Sequence, residues 1–366
     1  MDEISTRKAD HIDITTQRSV APSLSPGWDD VHLVHHSLPE IDLDEVDLRV
    51  RFLGHDLRAP LLIASMTGGH PRAEEINRRL AGAAQEFGLA MGVGSQRAAI
   101  RRPELLPTYR VARDTAPDIF LIANVGAPQL IDQPGERALS TDQVQGLVSA
   151  MEANALAIHL NYLQEVVQPE GDTRARGCLD AIARMCAALS VPVIAKETGA
   201  GISRDQGRRL KEAGVAALDV GGAGGTSFAL VESVRAGDRH LAGAERLGQA
   251  LGEWGLPTAV SVVECADLGL PLIATGGVRG GVDAAKALAL GADLVGVARP
   301  MLSAALEGDT ALHAYVAELL HALRVVLFLT GCRTVQELRT SDRVVLGATA
   351  EWLRARGCGV SAPWNQ

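Results

Sequence analysis

The chain has 366 residues, of which 47% are hydrophobic but only 3% aromatic, with 38 glycines and a net charge of −9. This is the composition of a soluble α/β protein with a large aliphatic core, not of a membrane or disordered chain, and the acidic balance argues against a nucleic-acid partner. Length alone allows two average domains or one α/β barrel.

The stretch Met1 to His11 is polar and lacks an apolar signal core, and no run approaches the roughly 18 apolar residues of a membrane span. A cytoplasmic location without a membrane partner is expected. Cys178, Cys186, Cys265, Cys332 and Cys358 are odd in number and form no C-x-x-C pair, so neither a disulfide framework nor a zinc site is indicated.

Residues 1–60 read as a polar N-terminal extension. Short apolar runs then recur at 61–65, 89–93, 119–125, 155–160, 191–196, 216–220, 270–275 and 293–298. Between them lie amphipathic segments such as 72–87, 142–153, 177–189, 204–213 and 282–290, each long enough for one crossover helix. Eight such units predict a TIM (β/α)8 barrel over residues 61–308, followed by C-terminal helices over 309–366, with the whole chain 1–366 as one domain. The strands are continuous apolar runs, as a parallel sheet buried on both faces requires. The longest gap contains Gly237 to Gly243 and reads as a loop insertion or mobile segment. An open doubly wound sheet is the competing fold, but no G-x-G-x-x-G turn joins a strand to a helix.

In a barrel the working residues sit at the C-terminal strand ends. Here those ends read Ser65-Met66-Thr67-Gly68-Gly69, Gly94-Ser95-Gln96-Arg97, Asn124-Val125-Gly126, Lys196-Glu197, Gly221 to Thr226, and Thr275-Gly276-Gly277-Val278-Arg279. Gly276, Gly277 and Arg279, with Ala298 and Arg299 after the eighth strand, suit a phosphate, because backbone N–H groups approach it only where no Cβ intervenes. The Thr-Gly-Gly turn followed by the segment 282–290 is a flavin-barrel signal. Lys196 ends a strand that should be buried and needs a counter-charge. A reduced flavin could supply it at its pyrimidine edge, and Glu197 or Asp219 are the alternatives. The run Ala157 to Glu165 delivers His159 and Asn161 on one strand face, then Gln164 and Glu165 past its end. An amide beside a carboxylate that can hold a hard cation suits a substrate carrying phosphate through Mg²⁺.

Together these stretches resemble the type 2 isopentenyl-diphosphate isomerases. The resemblance spans nearly the whole chain: Arg7-Lys8 and His11, Met66 to Gly69, Gly94 to Arg97, His159 to Asp172, Lys196-Glu197, Gly224 to Thr226, Trp254-Gly255, Gly276-Gly277 and 287–292. It implies an FMN-dependent barrel that interconverts isopentenyl and dimethylallyl diphosphate in isoprenoid biosynthesis. Ser65, Met66, Thr67, Ser95, Asn124, Lys196, Thr226, Gly277, Arg279, Ala298 and Arg299 would contact FMN. Arg7, Lys8, His11, Arg97, His159 and Asn161 would bind the diphosphate. Gln164 would lie at the reacting carbons, with His159 as the other candidate for handling the proton, and Glu165 would hold Mg²⁺. Reduced FMN is implied as the proton shuttle at N5, NADPH or NADH as its reductant, and a homo-oligomer, tetramer or octamer, as the assembly. Arg7 and Lys8 lie on a segment that could fold over the barrel mouth. Tyr162 stands where the family often has proline. Two other readings are an FMN-dependent 2-hydroxyacid oxidase or dehydrogenase and a non-catalytic flavin sensor. The first uses a His-Gly-Gly-Arg stretch where this chain has Gly222 to Thr226.

Overall fold

The structure, a computed structural model, describes residues 3–359; the outermost residues of both extensions, 1–2 and 360–366, lie outside that range. Eight parallel strands close into a barrel: β1 (Leu61–Ile63), β2 (Ala90–Gly92), β3 (Leu121–Gly126), β4 (Ala155–Leu160), β5 (Val193–Glu197), β6 (Ala217–Asp219), β7 (Leu272–Thr275) and β8 (Leu294–Val297). Each pairs with its sequence neighbour, and β8 pairs back onto β1.

Strand alternation sorts the side chains into two cores. Inside the barrel, Leu62, Ile122, Ala157, Ile194, Ile273 and Leu294 pack together with Phe52, Leu57 and Phe120. Phe52 and Leu57 belong to a hairpin, strands Val50–Phe52 and His55–Leu57, that plugs the N-terminal end of the barrel. Its Phe52 meets Phe120 edge to face at 5.8 Å, a favoured aromatic geometry. Outside, Leu61, Ile63, Leu121, Ile158 and Val295 pack against the helices. The floor is therefore filled with apolar side chains, and the polar strand ends face the opposite, open end.

Among the helices around the barrel are α1 (Glu3–Gln17), α2 (Pro71–Phe87), α3 (Tyr162–Val167), α4 (Phe228–Asp238), α5 (Ala242–Ala250), α6 (Gly281–Ala289) and α7 (Asp309–Leu329). Pro71 starts α2 and Gly88, at φ 65°, stops it, the usual asymmetry of helix ends. Ser227 caps α4 by accepting from Leu230 N–H.

Three expectations need correction. Gly237 to Gly243 is no loose insertion: it spans the end of α4, a tight turn and the start of α5, because both flanks carry helix-forming residues with an apolar stripe. The C-terminal segment is not all helix, since Arg343–Val345 pairs antiparallel with Val31–Leu33 and ties the two extensions together. Finally, α7 is long and apolar enough to cross a membrane by length and composition. It packs instead along α6, the helix Arg299–Glu307 and α2. Its buried residues Leu312, Val316, Leu319, Leu323 and Leu327 form one stripe at helical spacing.

The close seat of α7 depends on Gly281, where a Cβ would strike the backbone of Leu319 and Leu323. Gly281→Leu should therefore lower stability by about 3 kcal/mol, the scale of overpacking. The check is a urea midpoint that falls at unchanged slope.

Candidate active site

Every site residue named from the sequence, from Arg7 on α1 to Arg299 after β8, borders one cavity at the C-terminal mouth of the barrel. Its floor on one side is backbone. Gly224 and Gly277 have φ of 105° and 66°, values open chiefly to glycine. A Cβ on Gly224 would strike Pro26, one on Gly277 would lie 2.6 Å from Pro26 Cβ, and one on Gly225 would lie 2.6 Å from Gly277 N. The N-terminal strap around Pro26 is thus wedged against both glycine loops. Trp28 Nε1–H fastens it by donating to Gly276 O at 3.3 Å, and Pro26 O accepts from Ala259 N at 2.9 Å. Beside this shelf, Thr275 Oγ1 is buried with no hydrogen-bond partner among the described residues, as expected where a ligand completes its bonding. A side-chain-free shelf with an unmet hydroxyl fits the phosphate end of FMN. Gly224→Ala should weaken FMN binding by at least about tenfold, since the substitution meets both strain and a clash. Flavin fluorescence titration reads this directly.

On the opposite side, β4 and α3 present the polar cluster. His159 Nδ1 lies 2.7 Å from Asn124 Oδ1. An amide oxygen can only accept, so Nδ1 carries the proton and Nε2 is left as an acceptor. Burial, together with the charges of Lys196, Lys8 and Arg7, pushes His159 down to about 3, which keeps the ring neutral. Glu165 is buried and accepts from Asn161 Nδ2 and from Asp172 N, both at 2.8 Å. Burial raises its carboxyl despite those bonds, so the site favours a counter-cation. Among the described residues no three His, Cys, Asp or Glu side chains form a metal cluster. A Mg²⁺ held by Glu165 would need its other oxygens from substrate and water. Arg97 is already engaged: it pairs with Asp172 at 2.6 Å and with Glu136.

The residue missed from the sequence is Glu232 on α4, which has no solvent exposure. Its Oε1 lies 2.8 Å from His11 Nε2 and accepts from Gln164 Nε2 at 3.0 Å. Its Oε2 accepts from Arg235 at 3.1 Å. With its amide suitably turned, Gln168 also donates to Glu232 at 3.3 Å and accepts from Arg7 at 2.8 Å. Burial alone would raise the Glu232 carboxyl, but the His11 hydrogen bond and charge, the Gln164 amide and the Arg235 charge bring it to about 2. A signal existed. Ala229, Glu232, Ser233 and Ala236 are buried at i, i+3, i+4 and i+7, and a carboxylate on an otherwise small, buried stripe marks a buried charge.

Lys196 finds its counter-charge within the chain, at Asp219 Oδ2, 2.8 Å away and 1% exposed. The ammonium also borders the cavity, so a flavin would be its second neighbour rather than its sole partner. Adjacent Glu197 accepts from the N–H groups of Gly199, Ala200 and Gly201 at 2.6, 2.5 and 3.1 Å. Burial outweighs these bonds and raises its carboxyl to about 7 from an ordinary 4.5. A carboxyl raised on folding carries no penalty below its unfolded value and its full penalty above the folded one. The thermal stability of Glu197→Gln relative to the unsubstituted chain should therefore be higher at about pH 8 than at about pH 5. Melting curves at both pH values test it, and a pH-independent difference would refute it.

Fold and site define a class, and comparison with known proteins agrees. Residues 116–345 match the FMN-dependent dehydrogenase family. Two structures of the same mandelate oxidase variant, one with a monooxide FMN adduct and one with (S)-mandelic acid, each superpose with a TM-score of 0.62 at 18% and 17% identity. They cover 91% and 93% of this chain and 95% of their own; at such identity the fold alone is shared. Much closer in sequence is the isopentenyl-diphosphate delta-isomerase of Methanoregula boonei, 49% identical over 95% of this chain and 96% of its own. Those of Methanosarcina barkeri and Halobacterium salinarum are each 47% identical, over 97% and 96% of this chain and 96% of theirs. The chain belongs to the FMN-dependent, type 2 isopentenyl-diphosphate delta-isomerases and is an isomerase.

Proposed function

We propose that this chain interconverts isopentenyl and dimethylallyl diphosphate in isoprenoid biosynthesis, using reduced FMN and Mg²⁺, with NADPH or NADH as flavin reductant. The observation that carries the reading is the Gln164–Glu232 pair, set between the backbone shelf and the cation-lined end of the cavity. The double bond moves when the terminal methylene carbon gains a proton and the methylene on the far side of the double bond loses one, with no net redox change. Reduced FMN, when bound, would supply a ring nitrogen able to exchange that proton.

The remaining work falls to the chain. Gln164 is held at both ends, its Nε2–H donating to Glu232 and its Oε1 accepting from Asn161 at 3.4 Å. The amide is fixed in orientation yet remains neutral, which suits positioning or relay at carbon. Glu232, kept ionised, holds the Gln164 amide and the His11 ring in place behind the cavity wall. Neutral His159 can accept a hydrogen bond but adds no charge. Arg7 and Mg²⁺ would balance the diphosphate, and Glu165 would hold the metal. Glu170 and Asp172 are poorer metal candidates because they pair with Arg235 and Arg97. The solved oxidase neighbours share the barrel, but after β6 this chain has Gly222 to Thr226 where a 2-hydroxyacid oxidase would be expected to carry its His-Gly-Gly-Arg stretch. A homo-oligomer, tetramer or octamer, is the assembly proposed with this reading.

Two substitutions test the reading. Gln164→Ala should lower kcat by about 10²-fold or more, the scale of a lost acid–base or positioning group, with FMN still bound and reducible. A retained kcat with a raised KM would reduce Gln164 to a binding residue. Glu165→Gln should greatly raise the Mg²⁺ requirement while leaving FMN in place. A shift seen only for Glu170→Gln or Asp172→Asn would move the metal there.

A further inference from the structure

Lys196 and Asp219 face each other across neighbouring strands. Paired positions run from His159 on β4 to Lys196 on β5 and Asp219 on β6, so the three residues form one row at the mouth. Two residues below them, Ala157, Ile194 and Ala217 lie in the apolar filling of the barrel, which puts the row on the interior face as well. His159 and Lys196 border the cavity, whereas Asp219 is not part of its lining.

Lys196 Nζ donates to Asp219 Oδ2 at 2.8 Å and, at the longer distance of 3.4 Å, to Glu197 O. An ammonium has three protons, so at least one is left for the cavity that Lys196 borders. Asp219 Oδ1 is buried with no hydrogen-bond partner among the described residues, which leaves the ammonium as the main support of this carboxylate. Replacing a buried ion pair by apolar side chains is often neutral or stabilising. Packing therefore gives no reason for so sparsely satisfied a pair, but its place directly under the cavity does.

We propose that Asp219 is a positioning residue for the flavin: it holds the Lys196 ammonium at the cavity edge and offsets its charge, so that reduced FMN meets a neutral pair rather than a free cation. A free cation there would favour the reduced flavin strongly. The pair tempers that preference and so sets the potential of the bound cofactor. The proposal rests on FMN as the cofactor and not on the isomerase reading, and no substrate enters its test.

The test is the ratio of reduced- to oxidised-FMN affinity, read from the midpoint potential of protein-bound FMN against a reference dye under anaerobic conditions. Asp219→Asn should raise that ratio by about tenfold or more, the scale of one unit charge a few ångströms beyond a contact at an effective dielectric constant of about 20. For a two-electron couple that is a rise of about 30 mV. In a Lys196→Met background the same substitution should move the ratio by less than about twofold, because Asp219 then has no ammonium to hold. Asp219→Glu, which keeps the charge, should stay closer to the unsubstituted chain than Asp219→Asn does. Should Asp219→Asn fail to fold, Asp219→Ser, neutral and smaller, takes its place in the same comparison. An unchanged ratio in the folded, FMN-loaded neutral variant overturns the proposal, since a purely structural pair would lower stability without moving the potential. An equal shift in both backgrounds also overturns it, because Asp219 would then act on the flavin without Lys196. A chain that takes up no FMN would sink the cofactor reading together with it.

Discussion

A carboxylate without solvent exposure has to be satisfied from every side, and Glu232 is met by three separate parts of the chain. His11 comes from the N-terminal helix, Gln164 from the end of β4, and Arg235 from one turn further along α4. A buried charge left unpaired is strongly destabilising, so these elements cannot rearrange one at a time. The constraint turns a barrel with a separate N-terminal segment into a closed site. It also places the amide of Gln164, which would otherwise be free to rotate, in one orientation.

The same logic runs along the strap that follows α1. Pro26 is wedged against Gly224 and Gly277, and Trp28 reaches Gly276, so the geometry of the phosphate shelf is set partly by residues that precede the first barrel strand. The N-terminal extension is not an appendage to the barrel but one wall of its site. Positive charge gathers in this cavity, from Arg7, Lys196 and Arg299 among others, although the chain as a whole carries −9. That contrast suits an anionic ligand in an acidic protein. Several of these cations are nonetheless committed to internal partners, as Lys196 is to Asp219 and Arg97 to Asp172.

All eight barrel strands could be read from the sequence, because parallel strands buried on both faces are continuous apolar runs and each was followed by glycine or polar residues. The site was readable to the extent that it lies at strand ends: His159, Asn161, Gln164 and Glu165 are neighbours in sequence and stay neighbours in space. Glu232 was not read, since it works from a helix, α4, whose place beside α1 and α3 is fixed by tertiary packing. The helical pair at 228–250 was hidden for a related reason. Its Gly237 and Gly243 suggested a loop, whereas packing between α4 and α5 outweighs the intrinsic cost of glycine in a helix. In α7 the sequence reading passed over a segment long and apolar enough to cross a membrane by length and composition, whereas its contacts lie with the helices of the barrel.

Shared architecture with oxidases of 2-hydroxy acids shows how little the barrel itself decides. At the mouth of this barrel the strand ends after β4 and β6 carry an amide, a buried carboxylate and glycines: Gln164, Glu165 and Gly221 to Gly225. The decisive measurement is an anaerobic NMR assay in heavy water, with isopentenyl diphosphate, Mg²⁺ and the FMN-bound protein before and after flavin reduction. The account predicts dimethylallyl diphosphate, with solvent deuterium incorporated at the exchanging carbons, only after reduction. Equal isomerisation by the oxidised protein, or none by the reduced one, would contradict it.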